Sequence, residues 1–412
     1  MAEDLNSRGL ASTPDGESPD VVVVNTCTVT KEATKASRMA LRRAVKKHPD
    51  AKVVAIGCYA VSNPEEIAAI EGVDLILGNS EKESFAESLA QQPSTAPLLQ
   101  LGFSTRTAAP PTPAPAPKVR ANLKAQTGCD EWCSFCIIPT TRGPLRSMDE
   151  DDLVAEARAR VDSGARELVL TGVHLGKYRF DHGGSERNLL RLFDRLLGIE
   201  GILRLRLSSI LSAHLTDEVI DYIAAESRVC RYLHVPLQAG DDDVLEAMNR
   251  PYRIADYIDR VERAKEALAG LALATDVIVG FPGETEEQFQ ATLDIVERIE
   301  FSKLHVFRYS PRADTPAAAM PDAVHPDVKR DRSKRLIDLG NRLRAEFLAA
   351  HLGRPLEVLV EDERVVDSVS ICSGQTDDYV RVWFEGEGLL GRVVQVEGHE
   401  VRADGIRGGT LV

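Results

Sequence analysis

The chain has 412 residues, 43% of them hydrophobic, and a formal net charge of −14. That length gives room for two to four domains with real cores. No apolar stretch approaches the length that spans a bilayer, and the polar opening Met1-Ala2-Glu3-Asp4 does not read as a signal peptide. The acidic balance argues against indiscriminate nucleic-acid binding without excluding a local basic surface, and seven cysteines, three crowded into one loop, fit a reducing cytoplasm better than a disulfide framework.

Residues 1–92 read as a small doubly wound α/β domain. Asp20–Thr26, with four consecutive valines, has the pattern of a buried parallel strand, and a helix follows from Glu32 to Lys47. A second strand, Lys52–Ile56, ends at Gly57-Cys58, and a third, Val73–Leu77, precedes another polar helix. Lys35, Arg38, Arg42, Arg43, Lys46 and Lys47 form a basic run without an acid, which taken alone is a solvated helix face. Residues 93–117, rich in Pro, Ala and Thr, predict a semi-rigid, irregular linker.

Strands and helices alternate again over residues 118–350. Strands are predicted at Val119–Ala125, Glu167–Leu170, Leu203–Leu207, Tyr232–Val235, Leu273–Val279 and Lys303–Phe307, with helices such as Glu150–Asp162 and Glu286–Ile299 between them. Six βα units suggest an open barrel related to the eightfold one, whose chemistry sits at the carboxyl ends of the strands. Thr171-Gly172, Ser208-Ser209, Pro236-Leu237-Gln238, Gly280-Phe281-Pro282-Gly283 and Tyr309-Ser310 fall there. Gly and Pro at strand ends can be turn punctuation; their recurrence on one rim favours a shared pocket. A helix from Asp327 to His351 carries a second basic run, Lys329–Arg335, also read as solvated. Residues 353–412 alternate as a small β-barrel with strands at Leu356–Glu361, Tyr379–Phe384, Leu390–Val396 and Glu400–Gly405, either a structural cap or a grip for irregular RNA.

The first barrel strand is followed by Gln126-Thr127-Gly128-Cys129-Asp130-Glu131-Trp132-Cys133-Ser134-Phe135-Cys136-Ile137-Ile138-Pro139. This C-x3-C-x2-C loop offers three thiolates to one centre. Three soft ligands can hold three irons of a cubane cluster and leave the fourth iron open. The competing readings are half of a zinc site or simply buried cysteines. Structural zinc takes four ligands as two spaced pairs, and no second C-x2-C or H-x3-H follows. Cys230 and Cys372 read as buried, inert thiols, and His174 and His305 as packing or pocket-wall residues.

With Asn25-Thr26-Cys27-Thr28-Val29-Thr30, Ile56-Gly57-Cys58-Tyr59-Ala60, the cysteine loop through Arg142-Gly143, His234-Val235-Pro236-Leu237-Gln238 and Asp276–Thr285, the chain resembles the methylthiotransferases. These are radical S-adenosylmethionine (SAM) enzymes with an N-terminal methylthiotransferase domain, a central radical SAM barrel and a C-terminal TRAM domain. The resemblance implies that Cys129, Cys133 and Cys136 bind a 4Fe–4S cluster and SAM and generate the radical. It also implies that Thr171, Gly172, Ser208, Gln238 and Gly280 contribute to the cofactor pocket, and that Cys27 and Cys58 hold two corners of a second, auxiliary 4Fe–4S cluster. Leu170–Gly176 and Arg206–Ile210 look like the branch that places a methylthio group on C2 of N6-threonylcarbamoyladenosine, 3′ of the anticodon. The other branches modify isopentenyl-adenosine in tRNA or an aspartate of a ribosomal protein, and a non-enzymatic rival is an RNA-binding relic. Implied partners are the tRNA anticodon arm, a reductant such as flavodoxin or ferredoxin and a sulfur donor, with no membrane.

One departure stands out. The family's third auxiliary cysteine lies in a turn after the domain's first strand, yet this chain has no cysteine before Cys27 and no strand before Asp20. Glu3–Leu10 reads like the end of a first helix. The expectation is a start codon upstream of Met1 or, failing that, a truncated domain with a labile auxiliary cluster. Leu211-Ser212 replaces the branch's usual Glu-Pro, and Ala239 stands where Ser is usual.

Overall fold

The computed structural model describes residues 13, 17–79, 98–100, 118–179, 183–184, 186–402 and 404–411. The expected helix end at Glu3–Leu10, the polar helix after the third strand and the proline-rich run 108–117 lie outside these residues. Two compact units emerge, one of Met1–Pro115, Thr127–Arg146 and Ser310–Ala318, the other of Ala116–Gln126, Ser147–Tyr309 and Ala319–Val412.

In the first unit, β1 (Val21–Thr26), β2 (Lys52–Gly57), β3 (Leu75–Leu77) and β4 (Leu98–Gln100) form a parallel sheet in chain order. The strand at Leu98–Gln100 corrects the expectation of irregular chain throughout 93–117: Leu98 pairs with Leu75 and continues the ladder. Helix α1 (Lys31–Lys47) starts where the Thr30 side chain accepts from the Ala33 amide. It buries Leu41 against Val53, Ala55, Tyr59 and Ile76. Lys35, Arg42, Arg43, Lys46 and Lys47 are exposed, and Arg38 pairs with Glu66 at 3.3 Å, so the basic run is a solvated face.

In the second unit, β5 (Arg120–Lys124), β6 (Glu167–Thr171) and β7 (Arg204–Leu207) form one parallel sheet, and β8 (Tyr232–His234), β9 (Ala272–Val279) and β10 (Lys303–Arg308) another. Isolated parallel bridges, Leu205 to Val229 and Ser209 to His234, join the two sheets. Among the described residues no ladder closes β5 onto β10, which matches the open six-stranded arrangement expected. The helices Glu150–Asp162 and Glu286–Ile299 occupy the predicted residues because each begins at a strong cap. Asp149 accepts from the Asp151 and Asp152 amides, and Thr285 and Gln288 make a reciprocal capping box.

The long helix Pro326–Ala349 leads to a closed five-stranded barrel: β11 (Pro355–Val366), β12 (Val369–Gln375), β13 (Arg381–Glu385), β14 (Val393–Arg402) and β15 (Gly405–Thr410), in the order β11-β12-β13-β15-β14. Two differences from the sequence reading emerge. Val369–Gln375 is a strand that its Ser, Cys and Gly content hid, and Glu400–Gly405 is split between the end of β14 and the start of β15. Among the described residues no helix is long and apolar enough to cross a membrane.

The small barrel is fastened to the amino-terminal ends of the central strands, opposite their carboxyl-terminal rim. Arg206 on β7 is 1% exposed and ion-pairs with the fully buried Glu167 at 2.7 Å. It also donates to the Thr376 and Asp377 carbonyls at 3.0 and 2.7 Å, with the Tyr379 ring 4.5 Å from its guanidinium. Arg204 donates to the Gln375 and Glu357 carbonyls at 2.7 and 2.9 Å. Buried charges are tolerable only when satisfied in this way.

His351, just past the long helix, ties the same loop to that helix, bonding Asp378 at 2.5 Å and the helical Phe347 carbonyl at 2.7 Å. Burial opposes both charges, yet the mutual hydrogen bond raises the His351 pKa and lowers that of Asp378. The raised histidine stabilises fully below its unfolded value of about 6.5, and that contribution fades as pH climbs through the folded value. Thermal midpoints of the wild type should therefore fall as pH climbs above about 6.5 and through the raised folded value. His351→Gln should start lower and lose that portion of the slope; an unchanged slope in the variant would exclude the pair as its source.

Candidate active site

In the first unit the cysteine loop has no regular structure of its own between Gly128 and the short helix Ile138–Arg142. It is held at its two ends. Gly128 adopts φ 72°, where an added Cβ would lie 1.8 Å from the Pro144 carbonyl oxygen, and the Cys129 amide donates to the Gly143 carbonyl at 3.3 Å. Inside the loop the Cys136 amide donates to the Cys133 carbonyl at 3.0 Å, and the Ala317 amide donates to the Ser134 carbonyl at 2.8 Å. The Ile138 amide donates to Cys136 Sγ at 3.4 Å, a contact of the kind that stabilises a thiolate ligand. Cys133 is buried, while Cys129 and Cys136 are half-buried. Burial pushes the Cys129 thiol up, so a metal centre there has to displace its proton.

The donor spread tests what the loop fits. A tetrahedral zinc site would hold sulfurs about 3.8 Å apart. Among the described residues, the trios whose donor atoms all lie within 4.8 Å do not include Cys129, Cys133 and Cys136. Three soft thiol donors on one loop fit three corners of a polynuclear cluster.

The same unit holds Cys27 and Cys58. Thr26 pairs with Gly57 in the β1–β2 ladder, so the two cysteines directly follow partnered residues on adjacent strand ends. Gly57 has φ 104°, and a Cβ there would lie 2.4 Å from the Thr26 carbonyl oxygen. The Thr26 hydroxyl donates to the Ile56 carbonyl at 2.7 Å and accepts from the Ala60 amide at 3.3 Å, while Ser37 Oγ bonds both the amide and the carbonyl of Cys27. Cys27 is exposed and Cys58 buried. Asn79 Nδ2 donates to the Thr141 carbonyl at 2.7 Å and to Cys58 Sγ at 3.5 Å, linking the strand-end cysteine to the helix after the loop. All five expected ligands thus share one compact unit.

In the second unit the predicted rim residues do gather at the carboxyl ends of the strands. The Thr171 hydroxyl donates to the Leu123 carbonyl at 3.2 Å, and a Cβ at Gly172 would crowd Gln126 Oε1 at 3.1 Å. The Ser208 amide donates to the Leu170 carbonyl, and its buried Oγ has no hydrogen-bond partner among the described residues. Gln238 takes a left-handed φ of 68° and pairs by its backbone with Asp276 and Ile278. The Gly280 N–H is already taken by Glu284 Oε2 at 2.6 Å, and Glu284 pairs with Arg332 at 2.7 Å. Arg332 is 4% exposed, which corrects the reading of Lys329–Arg335 as a solvated face. Lys329 is drawn in too, its ammonium 5.0 Å from the centre of the Tyr309 ring.

His174 is buried with its ring against that of His214. His305 stacks on His234 with centroids 5.5 Å apart, and their donor atoms and that of Asp276 lie within 4.8 Å of one another. Cys230 is buried and pushed up to about 12, and Cys372 Sγ donates to the Gly386 carbonyl at 3.2 Å, so both are inert thiols. Sequence reasoning did not single out Asn79, Glu284 with Arg332, or Arg312. Their partners are remote in the chain, and only the lone polar residue beside a motif could have signalled them.

These features define a radical SAM protein. Residues 123–296 match the Radical SAM superfamily, and residues 1–78 match the uncharacterized protein family UPF0004. The threonylcarbamoyladenosine tRNA methylthiotransferase MtaB of Bacillus subtilis is 40% identical over 92% of this chain and 86% of its own. Its namesake in Thermotoga maritima is 33% identical over 94% and 87%. A tRNA-2-methylthio-N(6)-dimethylallyladenosine synthase of Alkaliphilus oremlandii is 33% identical over 99% and 88%. The chain belongs to this tRNA methylthiotransferase family. Its fold is shared by the radical SAM methyltransferase TsrM of Kitasatospora setae, at TM-score 0.55 and 18% identity over 74% of this chain and 66% of that one.

If the loop holds a four-iron cluster, Gly128→Ala should lower the iron bound after anaerobic reconstitution by about four atoms per chain. Gly270→Ala is the control, because Gly270 has φ 78° with nothing within 4 Å of its would-be Cβ. Full iron loading of Gly128→Ala would show that the loop geometry is not what binds the metal.

Proposed function

We propose that this chain is a tRNA methylthiotransferase that places a methylthio group on C2 of N6-threonylcarbamoyladenosine, 3′ of the anticodon. The observation that carries the reading is the sharing of one compact unit by a three-thiol loop and two strand-end thiols, in a chain 40% identical to the Bacillus subtilis relative of that name. In this reading Cys129, Cys133 and Cys136 hold a 4Fe–4S cluster and Cys27 and Cys58 hold two corners of an auxiliary one. When bound, the first cluster and SAM supply a 5′-deoxyadenosyl radical, and the auxiliary cluster carries the sulfur.

The chain's own residues bind, orient and shield. The Ile138 amide supports the Cys136 thiolate, and Asn79 does the same for Cys58. Thr171, Gly172, Ser208, Gln238 and Gly280 line the cofactor pocket. Ser208 offers a buried hydroxyl with no other partner among the described residues, and Gly172 offers a backbone that a side chain would obstruct. Gly280 serves chiefly as the turn that lets Glu284 and Lys329 close on it. The domains run 1–92 (methylthiotransferase N-terminal), 93–117 (linker, except for the strand at Leu98–Gln100), 118–350 (radical SAM barrel) and 353–412 (TRAM). The protein works in the cytoplasm on the tRNA anticodon arm, with a flavodoxin- or ferredoxin-type reductant and a separate sulfur donor.

Anaerobically reconstituted protein under a low-potential reductant should cleave SAM to 5′-deoxyadenosine. Cys133→Ala should lower that rate by at least about a thousandfold, since the cluster loses a protein ligand. Cleavage at the wild-type rate in the variant would sink the assignment of the loop.

A further inference from the structure

In the first unit the segment Ser310–Ala318 brings Arg312 onto the start of α1. Its Nη1 donates to Thr34 Oγ1 at 3.3 Å, and Thr34 Oγ1 lies 3.2 Å from the hydroxyl of Thr28, the neighbour of Cys27. The other two nitrogens, Nε and Nη2, are sealed from solvent and have no hydrogen-bond partner among the described residues. Ser310 Oγ, two residues earlier, is likewise sealed and unpartnered. Contrast Arg206 and Arg332, each buried by the same fold but matched to a carboxylate and backbone carbonyls. Guanidinium donors left unmet away from water are destabilising, and a charged acceptor would reverse that.

Nε and Nη2 of one guanidinium form the fork that takes two oxygens of a single oxyanion. We propose that Arg312, assisted by Ser310, is the receptor for an oxyanion of the RNA substrate, presented beside Cys27. The inference rests on the RNA-substrate reading above. Two sources offer the same chemistry: a backbone phosphate near the target nucleotide, or the carboxylate of the threonyl arm on the modified base. Thr34 is the positioning residue that aims the fork.

The test uses the full chain and two anticodon stem-loops, one carrying threonylcarbamoyladenosine and one carrying plain adenosine. Wild type, Arg312→Gln and Arg312→Lys are compared by fluorescence anisotropy over a salt series, with thermal midpoints to check folding. For a phosphate, Arg312→Gln should bind both RNAs about tenfold more weakly and reduce the log affinity against log salt slope by about one. For the threonyl carboxylate, the loss should fall on the modified RNA alone. In either case Arg312→Lys, which keeps charge but not the fork, should recover only part of the loss. Wild-type affinity for both RNAs in a folded Arg312→Gln would overturn the proposal while leaving the RNA reading intact. If the wild type binds neither stem-loop, the RNA reading itself fails and this inference with it.

Discussion

At Gly128 the backbone turns into the left-handed region, with φ 72°, and passes so close to Pro144 that a Cβ would sit 1.8 Å from its carbonyl oxygen. The next residue is Cys129, whose amide closes the loop onto Gly143. Between these clasps the three cysteines have neither helix nor strand to fix them. Their arrangement is inherited from that close approach and a few internal hydrogen bonds. The second set of thiols depends on the same device. Gly57 precedes Cys58, has φ 104°, and lets β2 end against Thr26 at a distance that no side chain would allow. Glycine is the residue that tolerates both the dihedral and the crowding.

The buried cations follow a different logic. The chain is acidic overall, with a net charge of −14. Even so, Arg204, Arg206 and Arg332 lie inside it. Arg206 meets Glu167 and two carbonyls, and Arg332 meets Glu284 and Glu286, so their desolvation is matched by directed bonds. Arg206 fastens the terminal barrel to the amino ends of the central strands. Arg332 instead braces the turn Gly280–Glu284 at the carboxyl ends. Architecture and rim are thus held by separate networks.

Much of this was legible in the residues. Glu150–Asp162 and Glu286–Ile299 could be bounded correctly because Asp149 and Thr285 are local start signals. The cysteine loop stood out because its three candidate ligands lie within eight residues, so the proposed chemistry is carried by local spacing. The strand at Val369–Gln375 was not, since Ser370, Ser373 and Gly374 dilute the alternation that its barrel partners enforce. Leu98–Gln100 is too short to read beside a proline-rich run and exists by pairing with Leu75–Leu77. The same holds for side chains. Arg332 looked solvated because Glu284 is 48 residues away, and Arg312 carried no signal because Thr34 is 278 residues away. Local chemistry could be read directly, whereas long-range pairing could not.

The central claim is that the five cysteines of the first unit serve methylthiolation of a threonylcarbamoylated tRNA. The most direct measurement is mass spectrometry of tRNA nucleosides from the source organism with and without this gene. The account predicts that deletion removes 2-methylthio-N6-threonylcarbamoyladenosine and leaves N6-threonylcarbamoyladenosine to accumulate, with the wild-type gene, but not Cys133→Ala, restoring the product. An unchanged level of the methylthiolated nucleoside in the deletion strain would contradict it.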